Sequence, residues 1–355
     1  MIQKKDKSIL VFRFSALGDI AMTIPVLRSF FNTYPDQKIT FVSRGFVEPL
    51  FKEFDNLEFI SVDFNNEFKG LKGLFKLFKL LRKKNIKAVA DLHNVLRTKI
   101  LNMFFKMVFI KVQSIDKGRA DRKRLTKKNN KKFKPLTPIH YRYCDVFGRL
   151  GFPIDLANHE YPIKPFLPES SEEQKILSKS VNKRIIGIAP FASFAGKNYP
   201  LDLMQNVIAY LQKDHTIYLF GGGENELKQI KIWENAYDNV TDIASPFNLM
   251  EQINIISYAD LMISMDSANG HIAANCGVPV LTLWGMTHPF CGFTPFDQGI
   301  ENSIMIDRNL YPQIPTSVFG NKIPKGYESA FRSVEPKEVI EKALEILSLA
   351  KPHHN

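Results

Sequence analysis

The sequence predicts an α/β protein made of two Rossmann-like domains, on three observations. Short apolar runs alternate with helix-length amphipathic segments in the first half, and the same plan repeats in the second. Strands separated by helices of ten or more residues pair in parallel, in a sheet covered on both faces. A proline-containing stretch, 161–168, divides the two series. Within the second series, LMISMDSANGHIAANCGVPVLTLWGMTHPF (261–290) reads as a complete βαβ unit: apolar strand, polar turn, short helix ending at Gly277, apolar strand.

In chain order, 9–14 is a first strand, and the helix that follows runs from about 20 to 32. Strands at 38–42 and 57–62 precede a helix at 68–84, a strand at 88–92 and a helix at 95–109. The second half gives a strand at 184–189, a helix at 202–213, a strand at 216–220 and a helix at 226–235. Strands 261–265 and 280–284 flank the short helix, and a last helix, 335–349, has Ser333 before it and a proline in its first turn.

The 355 residues suffice for two cores, and 45% hydrophobic with 24% charged residues is the composition of an ordinary globular chain. No apolar run approaches the ~18 residues of a membrane-spanning helix. The first apolar stretch is broken by Arg13 and enters a Gly-Asp turn, which reads as a strand and not as a secretory leader. Cys144, Cys276 and Cys291 are odd in number and far apart, as reduced thiols of a cytoplasmic protein are. Neither they nor His140, His288 and the terminal His353-His354 show metal-ligand spacing, so neither metal nor cofactor is expected.

The net charge is +12, and KGRADRKRLTKKNNKKFK (117–134) holds ten Lys or Arg against Asp121 alone. Such a run is either a solvated mobile loop or a surface for polyanions: nucleic acid, anionic lipid or phosphorylated glycolipid. The 68–84 segment, FKGLKGLFKLFKLLRKK, is a basic amphipathic helix. It either lies in a lipid interface or packs its apolar stripe on the sheet.

Chemistry is expected in the turns after strands. Asp266 and Ser267 are helix-capping types, and the N–H groups behind them make an anion site, into which His271 can donate; plain capping is the alternative. Asp19 follows strand one in Ser-Ala-Leu-Gly-Asp and is placed to act as a general base or to cap the next helix. The glycines of 221–223 let backbone approach a ligand, with Glu224 and Glu226 as acceptors for its hydroxyls. Arg97, after the fourth strand, either binds a phosphate or pairs with an acid.

The pattern D-S-x-x-x-H-x-A-A-x-x-G-x-P-V-x-x-L-x-G-x-T-x-P (266–289) resembles the nucleotide-binding signature of glycosyltransferase family 9, the heptosyltransferase type. FRFSALGDIAMTIP (12–25) resembles that family's opening R-x-x-x-x-G-D-x-x-x-x-x-P segment, and 91–98 resembles its D-x-x-x-x-x-R-S/T segment. The resemblance implies GT-B architecture, two Rossmann-like domains facing each other across a cleft. An acceptor domain would span 1–165, a nucleotide-sugar domain 166–332, and a helix at 333–350 would pack back on the first.

It further implies an inverting, metal-independent transferase moving a heptose from ADP-heptose to a phosphorylated lipopolysaccharide core, with Asp19 as base. Donor contacts fall on Ser193, Lys197, Glu224, Asp266, Ser267, Ala268 and His271, and an acceptor contact on Arg97. The chain departs from the family at one of these and beside another: Ala268 stands where the family has Gly, and Ala192 removes one of two hydroxyls ahead of Lys197. The expected partners are a nucleotide-sugar donor, a phosphorylated glycolipid acceptor and an anionic membrane surface, with a cytoplasmic location against the inner membrane. Rival readings are a transferase of another nucleotide sugar, a nucleotide-sugar epimerase, and a basic nucleic-acid-binding protein. The last lacks the interleaved aromatics that stack bases, so no nucleic acid is expected.

Overall fold

The computed structural model describes residues 7–180 and 182–349; His353 and His354 lie outside them. The chain divides into two compact units, one of residues 1–117 and 139–160, the other of 118–138 and 161–355.

The first unit runs β1 (Ser8–Phe12), α1 (Leu17–Ala21), α2 (Ile24–Thr33), β2 (Lys38–Ser43), β3 (Leu57–Ser61), α3 (Gly70–Arg82), β4 (Ile86–Asp91), α4 (Leu96–Met107) and β5 (Lys111–Ser114). Next come α5 (Arg119–Leu125), in the inserted segment that groups with the second unit, and α6 (Ile139–Leu150), back in the first. Among the described residues its sheet is five-stranded and parallel, in the order β3-β2-β1-β4-β5. The helix expected over 20–32 is two helices. Pro25 has no N–H for the carbonyl four residues back, so the chain breaks at Met22-Thr23, where the Thr23 hydroxyl donates to the Ile20 carbonyl (2.7 Å).

The second unit continues with α7 (Glu172–Ser178), β6 (Ile185–Ala189), α8 (Leu201–Leu211), β7 (Thr216–Leu219), α9 (Glu224–Ala236), β8 (Val240–Asp242) and α10 (Leu249–Ile256). The expected βαβ unit follows as β9 (Leu261–Met265), α11 (Ala268–Asn275) and β10 (Val280–Trp284), then β11 (Ser303–Met305) and α12 (Pro336–Leu349). The six described strands are parallel in the order β11-β10-β9-β6-β7-β8. Each sheet grows outward in both directions from a reversal point, between β1 and β4 in the first unit and between β6 and β9 in the second. Turns leaving the carboxyl ends of the two strands at such a point flank a crevice where ligands bind.

Three boundaries differ from expectation. The basic 118–138 segment packs into the second unit, not a 1–165 domain, because its few apolar residues have partners there. Leu125, Phe133 and Leu136 cluster with Phe290, Cys291, Phe293 and Val318. The expected linker also lies on that unit, with Tyr161 donating to Asp297 (3.0 Å) and Tyr258 to the Pro165 carbonyl (2.5 Å). Finally, α12 does not turn its apolar face to the N-terminal unit. Val339, Ala343, Ile346 and Leu347, spaced for one helix face, enter the core shared with Tyr199, Met204 and Ile208. Tyr199 fixes the approach by donating to the Val334 carbonyl (2.7 Å), as does the Arg332–Asp202 pair (2.5 Å).

Ile346→Ala is therefore expected to destabilise the second unit by about 2–4 kcal/mol. Both tryptophans of the chain, Trp233 and Trp284, are buried in that unit, so their fluorescence in urea reads it. An unchanged midpoint contradicts the docking of α12 there.

Candidate active site

In the first unit, the turns after β1 and β4 bring together residues some eighty positions apart. Arg13 leaves β1 buried and pairs with Asp19 (Nη2–Oδ2 2.6 Å), while Nη1 donates to the Leu92 carbonyl beyond β4 (2.9 Å). Asp19 sits in the first turn of α1, where Oδ2 also accepts from the Ala16 N–H (3.4 Å), so it does cap its helix. Its side chain keeps 27% exposure. Tyr143 of α6 braces the turn, donating to the Asp19 carbonyl (3.1 Å) beneath the Arg13 guanidinium.

His93 is buried against the Phe14 ring (5.5 Å), and its Nδ1 accepts the Phe14 N–H (3.4 Å). Burial and, next, the positive charges of Arg13 and Lys117 hold its pKa down at about 3. Asp91 is buried and committed to structure, accepting from the N–H groups of His93 (3.0 Å) and Asn94 (2.7 Å) and from Asn102 (2.7 Å). Arg97 is exposed with its guanidinium over the Phe64 ring (5.0 Å), and among the described residues it pairs with no acid.

In the second unit, Lys197 leaves the loop after β6 and pairs with Asp266 after β9 (Nζ–Oδ2 2.8 Å), also donating to the Asp266 carbonyl (3.1 Å). The side chains are 16% and 5% exposed, so Lys197 is not a loose surface lysine. Its stem is held where a Cβ on Gly320 (φ +72°) would fall 2.5 Å from Lys197 Cγ. Ser267 occupies the N-cap of α11 without making a side-chain cap bond; its hydroxyl meets Ser264 (3.2 Å). Ala268 opens α11, whose first-turn N–H groups lack intrahelical partners as in any helix, and His271 is buried one turn in. The N-terminus of α11 thus stands beside a nearly buried ammonium that the Asp266 carboxylate neutralises.

The structure thus joins Lys197, Asp266, Ser267, Ala268 and His271, and leaves two other expected donor residues outside. Ser193 is exposed in the loop ahead of Lys197. Glu224 is exposed at the start of α9, paired with Lys228 (2.7 Å). The neighbouring Glu226 caps α9 through the Gly222 (2.9 Å) and Gly223 (3.3 Å) N–H groups, which accounts for the glycine turn.

Sequence reasoning missed Arg13, His93 and the role of the basic segment. Lys131 turns inward and donates to the carbonyls of Leu125 (2.9 Å), Gln313 (2.8 Å) and Pro315 (2.6 Å), its pKa lowered by burial to about 8. Arg308 lies 3.4 Å over the Phe133 ring, and Phe133 packs on His288 (5.0 Å). Among the described residues no three His, Cys, Asp or Glu side chains gather as a metal site.

Two parallel α/β units, each with charged residues in the turns at its strand reversal, define a doubly wound class of fold. The family follows from comparison with known proteins: the description "Glycosyltransferase family 9 (heptosyltransferase)" matches residues 74–323, and the chain belongs to that family. It is a glycosyltransferase, of the GT-B fold of its structural neighbours. It is 26% identical over 289 residues to the lipopolysaccharide core heptosyltransferase OpsX of Haemophilus influenzae, covering 80% of each chain. The glycosyltransferase family 9 crystal structure from Veillonella parvula is similar over 99% of both chains (TM-score 0.74, 18% identity). The Escherichia coli ADP-heptose lps heptosyltransferase II matches with TM-score 0.65 and 18% identity, over 97% of this chain and 99% of that one.

The depressed His93 pKa carries a stability prediction. Between its ordinary value of 6.5 and about 3, the unfolded chain binds a proton there that the folded unit refuses. Stability therefore falls as pH drops, by about 2 kcal/mol from this group between pH 7 and pH 5. Hydrogen exchange of the β1 and β4 amides reads the first unit, and His93→Gln should remove that share of the fall. An equal fall in the variant contradicts a buried neutral imidazole.

Proposed function

We propose that the protein moves a heptose from ADP-heptose to the phosphorylated core of a lipopolysaccharide, with inversion and without a metal ion. One observation carries the reading: the Lys197–Asp266 pair stands at the N-terminus of α11, at the strand reversal of the second unit. The names of the relatives, lipopolysaccharide and ADP-heptose heptosyltransferases, supply the sugar and the acceptor.

In this reading the donor's diphosphate lies on the first turn of α11. Lys197 and His271 donate to its oxygens, and Ser267 and the backbone of Ala268 complete the cradle. As the sugar–phosphate bond breaks, negative charge grows on the departing nucleotide, and the Lys197 ammonium stabilises it without any proton transfer. Asp266 orients Lys197 and keeps its charge tolerable where little water reaches. Ser193 and Glu224 serve the rest of the nucleotide, where exposed side chains reach ribose hydroxyls.

On the first unit, Asp19 takes the proton from the acceptor hydroxyl as that oxygen attacks the anomeric carbon from the side opposite the nucleotide. Arg13 fixes the carboxylate through Oδ2, so its orientation is set before the acceptor arrives. Arg97 and the exposed cations of the 118–138 segment meet acceptor phosphates. The enzyme works on the cytoplasmic side of the inner membrane, held at anionic lipid; no helix among the described residues is long and apolar enough to cross a bilayer.

Thermal melts with ADP, UDP, GDP and CMP test the donor half: ADP alone should raise the midpoint strongly. Lys197→Ala and His271→Ala should each weaken ADP binding about 10–100-fold. Unchanged affinity in both removes the donor site from α11. Asp19→Asn should lower kcat by about 10²–10⁴-fold with ADP affinity kept, and a wild-type kcat overturns its role as base. EDTA should leave transfer unaffected, and inhibition by it overturns the metal-free claim.

A further inference from the structure

The outward face of α3 and α4 belongs to neither site. β3-to-β4 and β4-to-β5 are right-handed crossovers stepping the same way along the sheet, so both helices lie on one side of it. Inward, Leu77, Leu81, Leu101 and Phe105 are buried in the core of the unit. Phe104 closes the seam against Phe75 (5.6 Å) and Phe78 (5.4 Å). Outward, Leu71 and Phe75 on α3 and Met103 and Met107 on α4 are exposed at i, i+4 spacing. The two helices, GLKGLFKLFKLLR and LRTKILNMFFKM, carry seven Lys or Arg and no Asp or Glu.

The end of α4 adds a second, independent observation. The Ile110 N–H bonds to the Phe105 carbonyl (3.0 Å) and the Phe109 N–H to the Lys106 carbonyl (3.0 Å), the paired bonds of a Schellman stop. That stop needs a left-handed residue, normally Gly or Asn, yet the position is filled by Phe109 (φ 60°). Just past α3, the left-handed position is an Asn, Asn85 (φ 52°). The Phe109 side chain is 98% exposed, so the folded chain gains nothing from its ring. A bulky aromatic in an unfavourable backbone conformation, held fully in water, is accounted for by a ligand outside the chain.

We propose that the α3–α4 face, led by Phe109, seats the protein on the anionic headgroup surface of a lipid bilayer. The proposal rests on the membrane reading above and names the surface that serves it. Phe109, Met107, Met103 and Phe75 enter the boundary of the acyl chains, and Lys72, Lys79 and Lys106 meet lipid phosphates. Charge decides the occupant: cations interleaved with exposed apolar side chains, and no carboxylate on either helix, match an anionic interface. The 118–138 segment does not compete for this role. It has the cations, but Leu125, Phe133 and Leu136 are spent on packing, so it has nothing apolar to insert.

Sedimentation of the full chain with phosphatidylglycerol-containing vesicles, against pure phosphatidylcholine and across a salt series, tests this. Wild type should bind the anionic vesicles at low salt and release as salt rises. Phe109→Asn should weaken partition at least ten-fold with a melting temperature equal to or above wild type, because Asn suits the left-handed position. A structural role for the ring would lower that temperature instead. Lys72→Gln, Lys79→Gln and Lys106→Gln should each weaken partition about five-fold. Lys127→Gln with Lys128→Gln in the basic segment should change it less than two-fold.

Wild-type partition in Phe109→Asn, or loss of binding in the basic-segment variant, overturns the surface while leaving membrane binding in place. Absence of wild-type binding at low salt, or equal binding to neutral vesicles, overturns both. Transfer to a water-soluble, deacylated acceptor should be equal in wild type and Phe109→Asn. Its failure in wild type counts against the proposed reaction and leaves the vesicle result standing.

Discussion

The Lys197–Asp266 pair depends on one constraint, the adjacency of β6 and β9. A lysine after one strand meets an aspartate 69 residues later only because the sheet reverses its order of growth between them. Parallel strands force both turns to the same edge, and the reversal leaves the edge uncovered at that point. The Lys197 ammonium is then placed at the start of α11 by tertiary contacts, against Gly320 and beside Asp266, more than by its own loop. Removing either partner leaves a nearly buried charge alone, which makes the arrangement sensitive to single changes.

The first unit repeats the geometry with different chemistry. Its reversal lies between β1 and β4, and there a buried arginine ties the two turns together, holding Asp19 on one side and the Leu92 carbonyl on the other. The same cation, with burial, keeps His93 neutral over the ordinary pH range. A fixed guanidinium, a neutral imidazole and a partly exposed carboxylate share one edge, and only the carboxylate reaches solvent appreciably. That asymmetry supports the proposal that Asp19 takes the acceptor proton.

Much of this was legible in the sequence because parallel sheets write their strands as unbroken apolar runs and their turns as polar punctuation. The βαβ unit at 261–284, the turn at Asp19 and the residues Asp266 and His271 stand out on that basis, whereas Lys197 stands out only through the family resemblance. Pairings did not, since strand order is a long-range property: nothing local says that Arg13 meets Asp19 while bracing Leu92, or that Lys197 meets Asp266. Where the 117–134 run packs was hidden for a different reason. Its ten cations dominate the composition, while Leu125, Phe133 and Leu136, three residues among many, decide where the segment packs. The single helix expected at 20–32 failed at Pro25, whose breaking effect outweighs the apolar periodicity on either side. The last helix went to the second unit because Tyr199 and Arg332 anchor its approach, a contact that no periodicity reveals. Phe109 reads in sequence as an ordinary end of an apolar helix, and only the backbone conformation marks it as unusual.

The proposed acceptor-dependent transfer from a nucleotide heptose can be tested by one measurement. The purified full chain would be incubated with ADP-heptose, with and without a phosphorylated lipopolysaccharide core acceptor, and followed by NMR for ADP release and for the anomeric configuration of the product. The proposed reaction releases ADP only when the acceptor is present and gives a product inverted at the anomeric carbon. Turnover of ADP-heptose without acceptor, or a product that retains the donor's configuration, would contradict it.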